Sequence, residues 1–225
     1  MYCFECDSYS EGESRTCRKC GRPLETEPDK YFKAGMETLA SGAIDRAIMF
    51  LKDCTALAPD HLSGLYNLGI ALCMAGECDE ANEVFALIEE RDPDFPGLYT
   101  ATGQAAFGLY LYHSEQTESS RKTMLQLFAK AIEQDPDDVD AHFSMGNAYM
   151  AIGMPSKALP WLKRALELQS DTSAIHFALA KAYKAVESYP EAIMSARKAA
   201  ELSKADDPLA SDIASLLAEL DERSF

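Results

Sequence analysis

The amino-acid sequence predicts an all-α fold, a solenoid of stacked helical hairpins. Between residues 62 and 95, small and large apolar residues recur at steps of three and four, Gly76 interrupts the pattern and Pro93 ends it. Such a pattern predicts a helix, a turn and a second helix. The landmarks of this stretch occur earlier in the chain at one constant offset, because Gly35, Ala47 and Pro59 precede Gly69, Ala81 and Pro93.

This offset gives a period of about 34 residues. A unit of that length, with a small residue in each helix and a closing proline, resembles the tetratricopeptide repeat. Small side chains at Gly69 and Ala81 let two antiparallel helices approach closely, while larger apolar residues such as Phe85 fill the space around them. A single hairpin cannot bury its apolar face, so neighbouring repeats must stack. The resemblance implies a right-handed superhelix of about five repeats with a capping helix.

The repeats are predicted at residues 28–61, 62–95, 96–138, 139–172 and 173–206, within an array that spans 30–208. The third repeat is longer by nine residues, carried by the segment 108–122. That insertion is either an extension of the helix pair with a polar tip or a loop that contacts a partner.

Pro160, about one turn into a predicted helix of the fourth repeat, is expected to kink or delay that helix. Residues 209–225 form an amphipathic helix that would cap the array.

Before the repeats, residues 1–24 contain two C-x2-C pairs separated by ten residues. Two such pairs can close a tetrahedral four-sulfur site with bonds of about 2.3 Å. The motif resembles the short zinc ribbons of prokaryotic proteins, although Phe4 stands where proline is usual and Asp7 where glycine is usual. The resemblance implies one structural Zn²⁺, with iron in a rubredoxin-like site as the less favoured metal. The implied ligands are Cys3, Cys6, Cys17 and Cys20.

The cysteine segment is too short and too polar to form a core, so metal binding would supply its folding free energy, on the order of 10 kcal/mol. We expect it to unfold without metal. Residues 25–29 form a polar linker that tethers it to the first repeat. The other three cysteines, Cys54, Cys73 and Cys78, occupy helical positions and are predicted to be buried or partly buried free thiols.

The formal charge of the chain is −16, and residues 53–118 hold twelve acids and one base, Arg91. These acidic residues form either a solvated outer face or a binding site for a basic protein. Their negative charge argues against nucleic acid as a ligand of the repeats. The chain has no apolar run of about 20 residues, and it opens on Cys3 and Cys6 where a signal peptide would be basic and then apolar. We therefore predict a cytoplasmic protein without a membrane span.

No pattern of catalytic residues is present in the sequence. The four histidines are scattered, and His142 and His176 fall at equivalent packing positions of consecutive repeats. The sequence contains no glycine-rich phosphate loop, no HExxH and no nucleophile motif. We predict that the protein is not an enzyme.

In the tetratricopeptide family, the first helices of successive repeats line a groove that holds a peptide or helix of another protein. The resemblance places the following residues in that groove: Phe32, Met36, Tyr66, Ile70, Met74, Gln104, Phe107, Phe143, Asn147, Met150, Phe177, Lys181 and Lys184. Part of this apolar set packs between adjacent helices, and the rest favours an apolar segment of a partner. The carboxylate clamp of heat-shock co-chaperones is not expected, because Phe32, Tyr66 and Phe143 replace its polar residues. Lys181 and Lys184 remain candidates for holding an acidic group.

The favoured interpretation is a non-catalytic adaptor whose groove binds a protein segment and whose ribbon adds a second contact surface. The alternative is a regulatory module in which the repeats recruit a protein while the ribbon senses metal or redox state or contacts nucleic acid. The bases available to the ribbon for that contact are Arg15, Arg18, Lys19 and Arg22.

Overall fold

A computed structural model of the chain describes residues 1–9, 16–112, 117–204 and 207–222. Within them the chain forms one short antiparallel hairpin and eleven helices. The hairpin strands are β1 (Tyr2–Cys3) and β2 (Ser8–Tyr9), with Cys3 opposite Ser8. The helices are α1 (Pro28–Ala40), α2 (Ile44–Leu57), α3 (Leu62–Ala75), α4 (Cys78–Arg91), α5 (Leu98–Tyr112), α6 (Glu118–Gln134), α7 (Val139–Ala151), α8 (Pro155–Leu168), α9 (Ser173–Ala185), α10 (Tyr189–Leu202) and α11 (Ala210–Glu222).

The first ten helices follow one another as five pairs, which confirms the predicted all-α repeat fold. The second helices of the pairs end at Leu57, Arg91, Gln134, Leu168 and Leu202. These ends are evenly spaced at the period of the sequence, except that the interval between the second and third is longer by nine residues. The period and the insertion therefore appear in the helices where the sequence predicts them.

The insertion of the third pair lengthens its helices. Helices α5 and α6 have 15 and 17 residues, whereas the helices of the other pairs have 13 or 14. Thr117 caps α6, because its hydroxyl accepts a hydrogen bond from the backbone N–H of Ser120 at 3.1 Å. This supports the interpretation as extended helices, while the polar tip at residues 113–116 lies outside the described residues.

In three of the pairs, the two helices cross where the first helix carries glycine. A Cβ atom added to Gly69 would lie 2.4 Å from the ring of Phe85, and one added to Gly146 would lie 2.5 Å from Leu162. A Cβ atom added to Gly35 would clash with Leu51 in the same way. In all three pairs the contacted residue lies sixteen positions after the glycine. The partner side chains are fully buried. The recurring glycine is therefore a steric requirement of the helix crossing.

The chain divides into two compact units, Met1–Leu109 and Tyr110–Phe225. In the first unit, the main core forms around Leu51, Leu72 and Phe85. In the second unit, one cluster surrounds Leu162, and another is made by α9, α10 and α11. The last helix, α11, buries Ile213, Leu216 and Leu220 against the final hairpin, with Leu209 and Leu217 partly buried beside them.

Helix α8 begins at Pro155 and continues through Pro160, so the predicted delay of this helix was wrong. Proline at the first helical position costs little, because that N–H has no partner within a helix. Pro160 removes one hydrogen bond to Ser156, and both residues are exposed. Water can therefore satisfy the carbonyl oxygen that Pro160 leaves without a donor.

The helices are short for a bilayer, and the longest of those described, α6, has 17 residues. Among the described residues, no helix has both the length and the apolar character needed to cross a membrane.

Candidate functional site

The backbone of residues 1–9 and 16–24 presents the four cysteines on two tight turns. The residue after each second cysteine adopts a left-handed conformation, with φ of 51° at Asp7 and 73° at Gly21. Glycine adopts this conformation without strain, and aspartate is among the few other residues that tolerate it. The second turn is closed by a hydrogen bond of 2.8 Å from the N–H of Gly21 to the carbonyl of Cys17. Asp7 therefore takes the backbone role in the first turn that Gly21 has in the second.

The four sulfur atoms converge on one point, since all of them lie within 4.8 Å of one another. The Sγ atoms of Cys3 and Cys20 are 3.6 Å apart, and those of Cys6 and Cys17 are also 3.6 Å apart. A tetrahedral site with metal–sulfur bonds of about 2.3 Å places its sulfur atoms about 3.8 Å from one another. The cluster therefore has the dimensions of a four-thiolate metal site.

The ionisation of these thiols also favours a cation at the centre. The backbone N–H of Cys20, helped by the hydroxyl of Ser8, lowers the pKa of Cys17 to about 5. The backbone N–H of Arg22 acts to lower the pKa of Cys20, but burial and the three neighbouring thiols outweigh it and raise that pKa to about 12. Four thiolates cannot share this space at neutral pH without a positive charge, which a bound metal ion would supply.

The cysteine segment, here called the ribbon, packs against the first helical hairpin through aromatic rings of its described residues. Tyr2 is 7% exposed, and its ring centroid lies 4.8 Å from that of Phe50 on α2 and 5.2 Å from that of Phe4. The ring of Phe4 stacks on Phe50 at 5.8 Å. On α1, the hydroxyl of the fully buried Tyr31 donates to the carbonyl of Tyr2 at 3.2 Å. The ribbon is therefore docked, which the sequence alone did not predict.

Polar contacts fix the orientation of the docked ribbon. The Nη2 atom of Arg46 donates to the hydroxyl of Tyr2 at 3.0 Å and to Asp7 at 3.3 Å. The hydroxyl of Tyr31 also reaches the carbonyl of Glu25 in the linker at 3.2 Å, and Lys30 pairs with the carboxylate of Glu25 and lowers its pKa. Sequence reasoning missed these residues. The available signal was the aromatic content of a segment too small to bury Tyr2 by itself.

In the first unit, the predicted groove residues divide into packed and exposed side chains. The ring of Tyr66 packs on Phe95 and Phe85, with centroids 5.3 and 6.2 Å away, and Phe32 packs on His61 at 4.9 Å. Met74 is 59% exposed. Among the others, Gln104 is exposed, while Met36, Ile70 and Phe107 are half-buried. The first helices of this unit thus present a mixed surface in which the aromatic rings serve packing.

In the second unit, three predicted groove residues line a cavity of about 510 Å³ between α9 and α11, here called the α9–α11 cavity. Phe177 is 8% exposed, and the Nζ atom of Lys181 lies 4.6 Å above its ring centroid. Lys184 pairs with Glu219 of α11. The other predicted residues of this unit, Phe143, Asn147 and Met150, are half-buried on α7.

A family model for the tetratricopeptide repeat matches residues 38–105 and 125–182, more than half of the chain. The chain belongs to the tetratricopeptide-repeat (TPR) family. The match does not include the cysteine segment, so the ribbon identity of residues 1–24 stays a prediction. A search of curated proteins gives no match.

Several solved structures are similar to this chain. TTC0263, a thermophilic TPR protein of Thermus thermophilus, is 26% identical with a TM-score of 0.76, over 85% of this chain and 99% of that one. MamA is 20% identical with a TM-score of 0.59, over 78% of this chain and 91% of that one. YrrB, described as having an unusual peptide-binding site, is 18% identical with a TM-score of 0.56, over 84% of this chain and 93% of that one. MamA and YrrB share the fold.

The charges around the α9–α11 cavity of this TPR protein do not favour an acidic ligand. Lys184 is already paired, and the cavity is also lined by the acids Glu187, Asp212 and Glu219. Burial of its ammonium group lowers the pKa of Lys181, and Asp212 partly offsets that effect. The arrangement therefore suits an apolar group with a basic neighbour better than the acidic group considered from the sequence.

Two histidines and three thiols of the TPR hairpins have structural surroundings, while His113 lies outside the described residues. The Nε2 atom of His142 lies 2.9 Å from the carbonyl of Pro136, and that of His176 lies 3.2 Å from the carbonyl of Ser170. This equivalence fits the predicted structural role, with Ser170 at the position of the closing proline. The three thiols outside the ribbon also face the interior: Cys54 and Cys78 are buried and Cys73 is half-buried.

Proposed function

We propose that this TPR protein is a non-catalytic adaptor that binds an apolar segment of a partner protein on the first helices of its repeats. The observation that carries the proposal is the α9–α11 cavity. A volume of about 510 Å³ lies in the range of about 300–1,000 Å³ typical of ligand sites. Phe177 and Leu216 supply apolar surface to the cavity, and the Nζ atom of Lys181 lies above the ring of Phe177.

The chemistry of this cavity defines the segment that fits it. One large apolar side chain of the partner would occupy the floor, and a neighbouring basic residue would face Asp212 and Glu187 at the rim. Solenoid repeats commonly present extended binding surfaces of this kind. YrrB, which shares the fold, is described as having a peptide-binding site, and this is consistent with a peptide ligand here.

We further propose that the cysteine cluster holds one structural Zn²⁺. The residues Cys3, Cys6, Cys17 and Cys20 supply four thiolates, which leave no open coordination position for catalysis. On the docked ribbon, Phe4 and Tyr9 remain 44% and 50% exposed, so the ribbon offers an aromatic second contact surface. Metal analysis of the purified protein distinguishes zinc from iron, since a four-thiolate ferric site is coloured and a zinc site is not.

The nucleic-acid alternative finds less support. Arg22 pairs with Glu5, and the Nζ atom of Lys19 lies 3.5 Å from the carbonyl of Cys6, so two of the proposed bases are engaged within the ribbon. Arg15 lies outside the described residues. A chain with a charge of −16 also repels phosphate. The cytoplasmic location stays a prediction.

The proposal is tested by blocking the cavity without removing any core contact. Ser215 lines the cavity on the exposed side of α11, so Ser215→Trp would fill it. Ala214→Trp is the matched control, because Ala214 is exposed on the same helix and does not line the cavity. Each tagged full chain is incubated with native extract, and the retained proteins are quantified by mass spectrometry.

We expect the wild type and Ala214→Trp to retain the same partner and Ser215→Trp to lose at least nine-tenths of it. Circular dichroism and the thermal midpoint would establish that both variants fold. Equal retention by all three chains would show that the α9–α11 cavity does not bind the partner.

A further inference from the structure

A second cavity of about 450 Å³ lies in the second unit. It forms where α6 begins and where α7 turns into α8, and we call it the α6–α8 cavity. Leu125 and Arg121 line it from α6, and Tyr149, Ile152 and Met154 line it from the end of α7 and the following turn. Both α6 and α8 are second helices of their repeats. The predicted groove residues of α7, Phe143, Asn147 and Met150, do not line this cavity, so the two sites are different.

The rim of the α6–α8 cavity is cationic in a strongly acidic protein. Arg121, Lys122 and Lys157 lie on the rim together with one acid, Glu118. Glu118 pairs with Arg121 at 2.7 Å. In the part of the chain that the structure describes, no carboxylate lies within ion-pair distance of the exposed Lys122 or Lys157. The chain as a whole carries −16, so this concentration of positive charge at a concave surface points to an anionic ligand.

The floor of the α6–α8 cavity is apolar and held in place. Met154 is 41% exposed, and Tyr149, Ile152 and Leu125 are half-buried beside it. The turn that carries Met154 is fixed by a hydrogen bond of 2.9 Å from its N–H to the carbonyl of Tyr149. Gly153 makes that turn possible with φ of 76°. A preformed apolar floor reduces the ordering cost of binding a large side chain.

We propose that the α6–α8 cavity binds an acidic segment of a partner protein that carries a large apolar side chain among its carboxylates. The apolar side chain would contact Met154 and Tyr149, and the carboxylates would pair with Lys122 and Lys157. A nucleic acid fits less well, because a run of phosphates would meet the negative charge of the surrounding protein and would leave the aliphatic floor without an apolar partner.

The test uses the full chain with its metal and a display library of random peptides. Peptides are selected on the wild type, on Lys122→Glu/Lys157→Glu and on Lys33→Glu/Lys198→Glu. The second double variant makes the same charge change at exposed lysines outside the cavity, with side chains 78% and 49% exposed. A pool of random-sequence RNA is offered in parallel. Dissociation constants for the enriched peptides are then measured by fluorescence anisotropy.

We expect the wild type and the Lys33/Lys198 variant to enrich acidic peptides with a large apolar residue, and the Lys122/Lys157 variant to bind them at least tenfold more weakly. Substitution of the apolar residue by alanine in such a peptide should also weaken binding at least tenfold. The proposal would be overturned if the enriched peptides were basic or neutral, or if none depended on Lys122 and Lys157. RNA binding that depends on these two lysines would overturn it as well. Ser215→Trp should leave this binding unchanged, which separates the proposal from the α9–α11 cavity.

Discussion

Removing the ring of Tyr2 should release the ribbon from the first repeat without removing a metal ligand. Tyr2 is 7% exposed and packs its ring against Phe50 and Phe4. Truncation of a buried aromatic side chain costs about 3–5 kcal/mol. We place Tyr2→Ala at the lower end, about 3 kcal/mol, because one side of the contact is a small segment that can shift. Since about 1.4 kcal/mol corresponds to a factor of ten, amide exchange in α1 and α2 should be about a hundredfold faster.

Hydrogen exchange followed by mass spectrometry measures this effect peptide by peptide. Tyr2→Phe is the matched control, because it keeps the ring and loses only the hydroxyl contact with Arg46, for a cost of about 1 kcal/mol. Cobalt substitution would report whether the four thiolates still bind metal in each variant. The reasoning is refuted if Tyr2→Ala exchanges as slowly as the wild type, or if Tyr2→Phe loses as much protection as Tyr2→Ala.

Three further outcomes are expected. Gly69→Ala should destabilise the first unit by about 1–3 kcal/mol in urea unfolding, because the new Cβ would lie 2.4 Å from Phe85. The control Ser63→Ala, at an exposed position, should leave the stability unchanged. Equal stabilities of the two variants would contradict the steric argument. A chelator should abolish the dispersed amide chemical shifts of residues 1–24, and an apo protein that kept them would show that the ribbon folds without metal. Burial and then the neighbouring Cys78 raise the pKa of Cys73 to about 12, so at pH 8 about one such thiol in ten thousand is ionised. Iodoacetamide should therefore spare Cys73 in the native protein and modify it only on unfolding, as peptide mass mapping would show.

The repeat architecture was predictable because the steric rule behind it is local and recurs. The glycine of the first helix must face a large residue sixteen positions later, and the close contacts of Gly69 and Gly146 show why a Cβ is not tolerated there. The cysteine cluster was predictable for a similar reason, since C-x2-C turns present two sulfur atoms each on the same side. In both cases short sequence spacing determines the geometry.

The docking of the ribbon was not predictable, because it joins residues that are distant in sequence. Tyr2 at the start of the chain meets Phe50 on the second helix, and no pattern in either segment identifies the other. For a related reason, the sequence could not predict which groove residues point into the groove. Helical position places Tyr66 on the first-helix face, but its ring turns toward Phe95, and only the structure gives that direction. The cationic rim was missed because Lys122 and Lys157 belong to different repeats.

The most direct test of the proposed adaptor function is site-specific photocrosslinking from inside the α9–α11 cavity. A photoreactive amino acid is introduced at Ser215, or at Ala214 as the control, and the full chain is irradiated in native extract. The proposed binding mode predicts a protein adduct from position 215, at a peptide with a large apolar residue and a basic neighbour, and no such adduct from position 214. The absence of an adduct at position 215, or the same adduct from both positions, would contradict binding in this cavity.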